Sequence, residues 1–211
     1  MRKTARRHQQ GEESRLRILD ATLAIAAERG YDGTSIALVT EATGLPPSSV
    51  YWHFRNKDEL LAETLEHSYR RWRETAPTWQ DRVGIADPAE EIRDRLHRAS
   101  RAIVVSPEFW RLGLMLGLLN RQQEPTARRR YLQVRADTRS AIQEWWEQVL
   151  ADGDPDRRSL VAGRMARFHL MVMDGLYLGV RSDRGWRLDR LVDLIADGVY
   201  AQARTWLKEA A

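Results

Sequence analysis

The chain of 211 residues is long enough for one large domain or a small domain joined to a larger one, and it has no cysteine, which excludes disulfides and thiolate metal sites and fits a reducing cytoplasm. Its net charge of +4 lies wholly in residues 1–10, where Arg2, Lys3, Arg6 and Arg7 stand without an acid while acids and bases balance over the rest. No apolar run approaches the roughly 18–20 residues that cross a bilayer, and the basic N-terminus lacks the apolar core of a signal peptide, so a soluble cytoplasmic chain without a membrane partner is expected.

Residues 1–12 read as a basic flexible arm. Such a segment can lie along phosphates or enter a minor groove beside a folded DNA reader, the alternative being a solvated end. From Ser14 to Arg29 the residues Leu16, Leu19, Leu23, Ala26 and Ala27 recur at three and four, which predicts a helix with one buried stripe and Gly30 as its stop. Thr34 is the expected N-cap of a second helix running to about Thr43, with Ile36, Val39 and Ala42 inward. Gly44 allows the positive φ of a sharp interhelical turn.

The next helix opens at Pro46-Pro47. Pro47 suits the first helical position, where a missing N–H costs nothing, and it drives Pro46 out of the α region. Ser48 and Ser49 follow in the first turn, where hydroxyls and free N–H groups can reach phosphates or base edges. Val50 and Phe54 are four apart, share a face and are assigned to the core. Tyr51, Trp52 and His53 cannot all join them, and three partly exposed rings beside a helix N-terminus point to a nucleic-acid contact. Asn56 and Glu59 have capping-box spacing, so a fourth helix should start at Lys57 and run to about Ala76. Lys57 in its first turn opposes the helix dipole, a conflict that a bound phosphate would remove.

The run GYDGTS, the Gly44 turn, and VYWHF followed by NKDELL resemble the DNA-binding domain of the TetR (tetracycline repressor) family of bacterial regulators. The likeness is close over about residues 14–62 and extends beyond them only in length and helical pattern. It implies that the segment around Tyr51 is the recognition helix, that Thr34, Tyr51 and His53 touch the DNA backbone, and that Lys57 clamps a phosphate. The chain departs from the family where bases are read, with Pro46, Pro47 and Ser48 in place of a serine cap, a variable residue and a glycine. A docking mode on double-stranded DNA is therefore carried over, with Pro47, Ser48, Ser49 and Trp52 left to set specificity, but no base preference.

Further on, residues 77–87 read as a connection, followed by a helix from Pro88 to about Val105. Pro107 opens another helix, with Phe109, Trp110, Leu112, Met115, Leu116 and Leu119 apolar on more than one face, as an internal helix requires. Pro125 to Ala151 predicts a long helix with Val134, Thr138, Ala141, Ile142, Trp145 and Val149 in one stripe. Trp146, turned about 100° from Trp145, should face a second environment. Arg157–Arg181 is apolar nearly all round, and Gly175 and Gly179 add a groove for close helix approach. The last helix, about Leu188 to Lys208, carries the stripe Leu188, Leu191, Val192, Ile195, Val199, Ala203 and Trp206.

The fold class expected is all-α: a helix-turn-helix domain over 13–58 and a larger helical domain over 59–211. By the resemblance, the last two helices build a homodimer and the middle helices enclose a small-molecule effector. The candidate lining residues are Phe109, Trp110, Met115, Leu119, Trp145, Met165, Phe168, His169, Met173 and Tyr177, with His169 and Asp174 as polar points among apolar neighbours. Nothing in the sequence calls for a cofactor or metal: the five histidines show no ligand spacing, and no catalytic fingerprint is present. The reading is a ligand-responsive repressor on a palindromic operator. A dimeric regulator without an inducer, or an interaction protein that no longer reads DNA, are the alternatives.

Overall fold

The computed structural model describes residues 2–79, 87–120, 122–150, 154–182, 185 and 187–209, with side chains from Gln9 to Lys208. Every regular element among them is a helix: α1 Arg2–Gly33, α2 Ile36–Thr43, α3 Pro47–His53, α4 Lys57–Thr75, α5 Pro88–Val105, α6 Glu108–Gly117, α7 Thr126–Val149, α8 Pro155–Ser182 and α9 Leu188–Glu209. The all-α class follows, with Pro47 and Pro88 in first turns, Gly30 (φ 73°, ψ -175°) kinking α1 near its end and Gly44 (φ 67°) closing α2. The connection expected over 77–87 lies mostly outside the described residues.

Two compact units divide the chain, and neither is contiguous: Met1–Arg71 with Glu108–Gln133, and Trp72–Pro107 with Val134–Ala211. No single cut after residue 58 reproduces this division. In the first unit α1 packs on α2, α3 and α6. Its centre joins Ile18, Leu19, Val39, Val50, Phe54 and Leu60, all at most 2% exposed. Each contributes about 1.5–3 kcal/mol by leaving water, enough to hold helices as short as α2 and α3 that would not form alone. Glycine sets one close approach: a Cβ at Gly113 would come within 2.8 Å of Tyr131 Cδ2, so α6 meets α7 only because residue 113 has no side chain. In the second unit α5 packs on α8 and α9, and α8 on α9.

Several expectations are corrected. Helix α1 starts at Arg2, not Ser14, so the basic segment is helical rather than an irregular arm. Its inward stripe is Ile18, Leu19, Thr22, Leu23, Ala26 and Ala27, while Leu16 is 39% exposed, because two adjacent columns face the core where one was read. The same offset puts Thr43 inward and Ala42 outward on α2. Trp146 does not face a second environment, since it and Trp145 are both fully buried with ring centroids 5.1 Å apart.

A candidate nucleic-acid interface on α3

Helix α3 has seven residues, and its placement depends on its neighbours. The Gly44 amide closes α2 on Thr40 O at 2.9 Å, and the Thr43 hydroxyl accepts the Leu45 amide at 3.3 Å. Arg17 then donates to Thr43 O at 2.7 Å, tying this turn to α1. Val50 and Phe54 anchor α3 inward at 0% and 2% exposure, as their spacing predicts, and the positions between them turn outward. Tyr51 is 55% and Trp52 75% exposed, large values for residues of this size in a packed unit. Pro46, Pro47 and Ser48 are exposed on the same helix start, which has no side-chain cap, and Ser49 is half-buried.

His53 is held from the side. Its Nε2 lies 2.9 Å from Ser14 Oγ, and that hydroxyl already donates to Gly11 O at 2.8 Å. A hydroxyl has one proton, so His53 carries its hydrogen on Nε2, donates it to Ser14 and keeps Nδ1 as an acceptor. Burial, then Arg15, lower its pKa against an opposing pull from Glu12. Arg15 also lies 5.6 Å from the Phe54 ring centre and pairs with Glu63 at 2.7 Å, bracing α1 against α3 and α4. At Gly11, α1 runs beside the Trp52 ring, where a Cβ would make ordinary van der Waals contact with Cη2 and Cζ3 at 3.5 Å.

The start of α4 follows its capping signal in part. Asn56 Oδ1 accepts the Glu59 amide at 2.9 Å, but Glu59 returns its carboxylate to the Arg55 amide at 2.8 Å and to its guanidinium, not to Asn56. Lys57 Nζ lies 4.7 Å over the Tyr31 ring and 3.4 Å from Asp32 O, and burial lowers its pKa. Asp58 accepts the amides of Thr126 at 2.8 Å and Ala127 at 3.4 Å, capping α7.

Thr34 is corrected. It is 1% exposed and donates to Gly30 O at 2.7 Å, so its hydroxyl braces the turn instead of facing a phosphate. The N-cap of α2 is Ser35, which accepts the Leu38 amide at 3.3 Å and is partly exposed. Adjacent Thr and Ser offered two equivalent caps to a sequence reading.

The effector candidates are divided between the two units. Phe109, Trp110, Met115 and Leu119 belong to the first unit, where Tyr69, Phe109 and Tyr131 pack ring on ring. Leu119 lies beyond the end of α6. Trp145, Met165, Phe168, His169, Met173 and Tyr177 belong to the second, all buried except the half-buried Phe168. A hollow of about 290 Å³ in that unit is lined by Val149, Leu150, Tyr200, Arg204 and Leu207 among others and contains none of them. Asp174 is engaged by both ends of the Arg135 guanidinium at 2.9 and 2.7 Å. Sequence reading missed Trp79, Glu91 and Arg95, buried beside Trp145 and His169. The signal was present, since Glu91 and Arg95 are four apart beside the apolar column Ile92, Leu96, Ala99 and Ile103.

A short helix seated by α1 and α2, with its aromatic side outward, makes a helix-turn-helix arrangement. Residues 18–64 match the family model described as bacterial regulatory proteins, tetR family. Over these residues the chain is similar to the TetR family. It is 31% identical to the regulator AcrR of Shigella flexneri over 88 residues, 42% of this chain and 40% of that one. It spans half or less of the length of the first curated relatives it matches. A transcriptional regulator of Rhodococcus sp. Rha1 superposes with a TM-score of 0.65 at 20% identity, covering 89% of this chain and 96% of that one. FadR of Bacillus subtilis, in complex with stearoyl-CoA, gives 0.65 at 14% identity over 87% and 96%. No helix among the described residues is long and apolar enough to cross a membrane, and none of their acidic and histidine side chains gather in a metal-binding group.

Proposed function

We propose that the chain is a transcriptional repressor that binds a palindromic operator as a homodimer and leaves it when a small hydrophobic effector binds. The observation that carries this is the inversion of exposure along α3, from buried Val50 to Tyr51 and Trp52 in water and back to buried Phe54. A core gains nothing from that arrangement, whereas a helix entering a major groove requires it. Pro47, Ser48, Ser49 and Trp52 face the bases. Tyr51, His53 and Lys57 position the unit on the backbone, and the phosphate role first given to Thr34 passes to Ser35.

Dimerisation is supported by the outer side of α8 and α9. Met171, Leu178 and Leu194 are 61%, 56% and 69% exposed there, and Gly175 and Gly198 have open space where a side chain would project. A two-fold dimer sets two recognition helices one DNA turn apart, roughly 34–36 Å. An apolar effector is supported by the aromatic and methionine content of the second unit and by the fold shared with FadR, whose structure holds stearoyl-CoA.

The test is footprinting on the DNA upstream of the protein's own gene at stated salt, with Tyr51→Ala and Lys57→Ala alongside. A protected palindrome is expected. Lys57→Ala should weaken binding to all sequences and lower the salt slope by about one, and Tyr51→Ala should cost about tenfold or more. Equal binding by all three proteins without a palindrome would remove the reader role.

A further inference from the structure

We infer that the buried centre of His169, Trp79, Trp145, Arg95 and Glu91 is where the effector is recognised, and that it takes an uncharged, flat, apolar molecule bearing a carbonyl oxygen. This deepens the effector reading above and rests on it.

The charges decide the first property. Arg95 and Glu91 are 0% and 1% exposed and lie 3.9 Å apart. Arg95 also donates to Thr78 O and lies 5.4 and 5.0 Å from the ring centres of Trp79 and Trp145, while Glu91 accepts the Trp145 indole N–H at 2.9 Å. Among the described residues this buried cation and anion offset each other, and a further charge would enter unbalanced at high cost.

The hydrogen bonds decide the second. His169 is 1% exposed, its ring stands edge-on to Trp79 at 4.8 Å, and neither of its nitrogens has a partner. The indole N–H of Trp79 also lacks one. Burial, then Arg95, lower the His169 pKa to about 3, so the ring is neutral and offers one N–H. Two neighbouring buried donors therefore lack an acceptor, and a carbonyl oxygen has two lone pairs. Trp79 and Trp145, packed on each other at 5.6 Å and inclined at 59°, set aromatic surface beside these donors, on which a flat apolar body can stack. Thr78 and Trp79 lie in a non-helical stretch, so admitting a ligand there breaks no helix.

Three probes of similar size separate these properties: acetophenone has the ring and carbonyl, ethylbenzene lacks the oxygen, and benzoate carries a charge. Binding to the full-length protein is followed by tryptophan quenching and thermal shift. Acetophenone should bind about tenfold more tightly than either other probe. His169→Phe, which keeps the ring volume, should erase its advantage over ethylbenzene. Ethylbenzene binding as tightly as acetophenone, benzoate binding more tightly, no binding by any probe, or an unchanged preference in His169→Phe overturns the inference. Should the footprinted DNA be released by other apolar compounds while this pattern fails, the effector reading stands without this site. If neither a broad apolar set nor an acyl-CoA releases the DNA, the effector reading itself fails.

Discussion

Among single residues, His169 makes the sharpest demand on the fold, because it is kept neutral where an ordinary imidazole would begin to charge. Its pKa in the folded chain, about 3, lies below the usual value of 6.5, so the unfolded chain binds the extra proton more readily. The stability it permits is complete above about pH 6.5 and drains away as the pH falls from there toward 3. Over that window the loss is on the order of a few kcal/mol. Urea unfolding at pH 8 and pH 5 should therefore show a marked loss in the wild-type chain and a smaller one in His169→Phe; equal losses would mean that His169 ionises freely in the fold. Residues of this kind divide by how local their signal is. Gly44, Pro47, Val50 and Phe54 were legible because a turn, a first helical position and an i,i+4 pair are short-range facts. Ser14 and His53 are 39 residues apart, and nothing in either neighbourhood announces their bond. Glu91 and Arg95 were present at helical spacing but have the pattern of an ordinary surface ion pair, which only tertiary packing turns inward.

The elements show the same division. Helix starts follow prolines at Pro47 in α3 and Pro88 in α5, whereas α1 begins well before the start its apolar stripe suggested. The inward faces of α1 and α2 were less legible, because Leu16 against Ile18 and Ala42 against Thr43 differ by too small a rotation for apolar pattern to choose. The cap of α7 could not be read at all. Its first two amides have their acceptor in Asp58, 68 and 69 residues earlier. Burial would raise the Asp58 pKa, but the Thr126 hydroxyl, the two amides and Tyr31 together lower it, so the group caps as a carboxylate. Asp58→Ala should lower stability by about 0.5–2 kcal/mol, as other lost caps do. The loss should be local, with faster hydrogen exchange at the Thr126 and Ala127 amides and little change at those of α2. Unchanged exchange at both amides would show that another acceptor takes over.

For the whole molecule the open question is assembly. The outward apolar residues of α8 and α9 are costly in a monomer and useful in a dimer. Placing a charge among them, as in Leu194→Glu with Met171→Glu, should shift sedimentation from a dimeric to a monomeric species while the helical circular dichroism stays near wild type. The operator affinity should fall with it, because one half-site then binds alone. A dimer that survives both changes would move the interface elsewhere. The all-α class was legible in helical periodicity; the partition into these two units was not, because α6 and the start of α7 join a unit from which they are distant in sequence.

That partition also bears on time. The reading unit needs Glu108–Gln133 as well as Met1–Arg71. At the ribosome's roughly 5–20 residues per second, several seconds separate its first part from its last. Through that interval Tyr69 has no Phe109 to pack on, and Gly30 has no Met115 beside it. A nascent chain can thus expose the outward rings of α3 before the unit behind them is closed, and a message truncated between residues 71 and 108 would leave that unit unfinished.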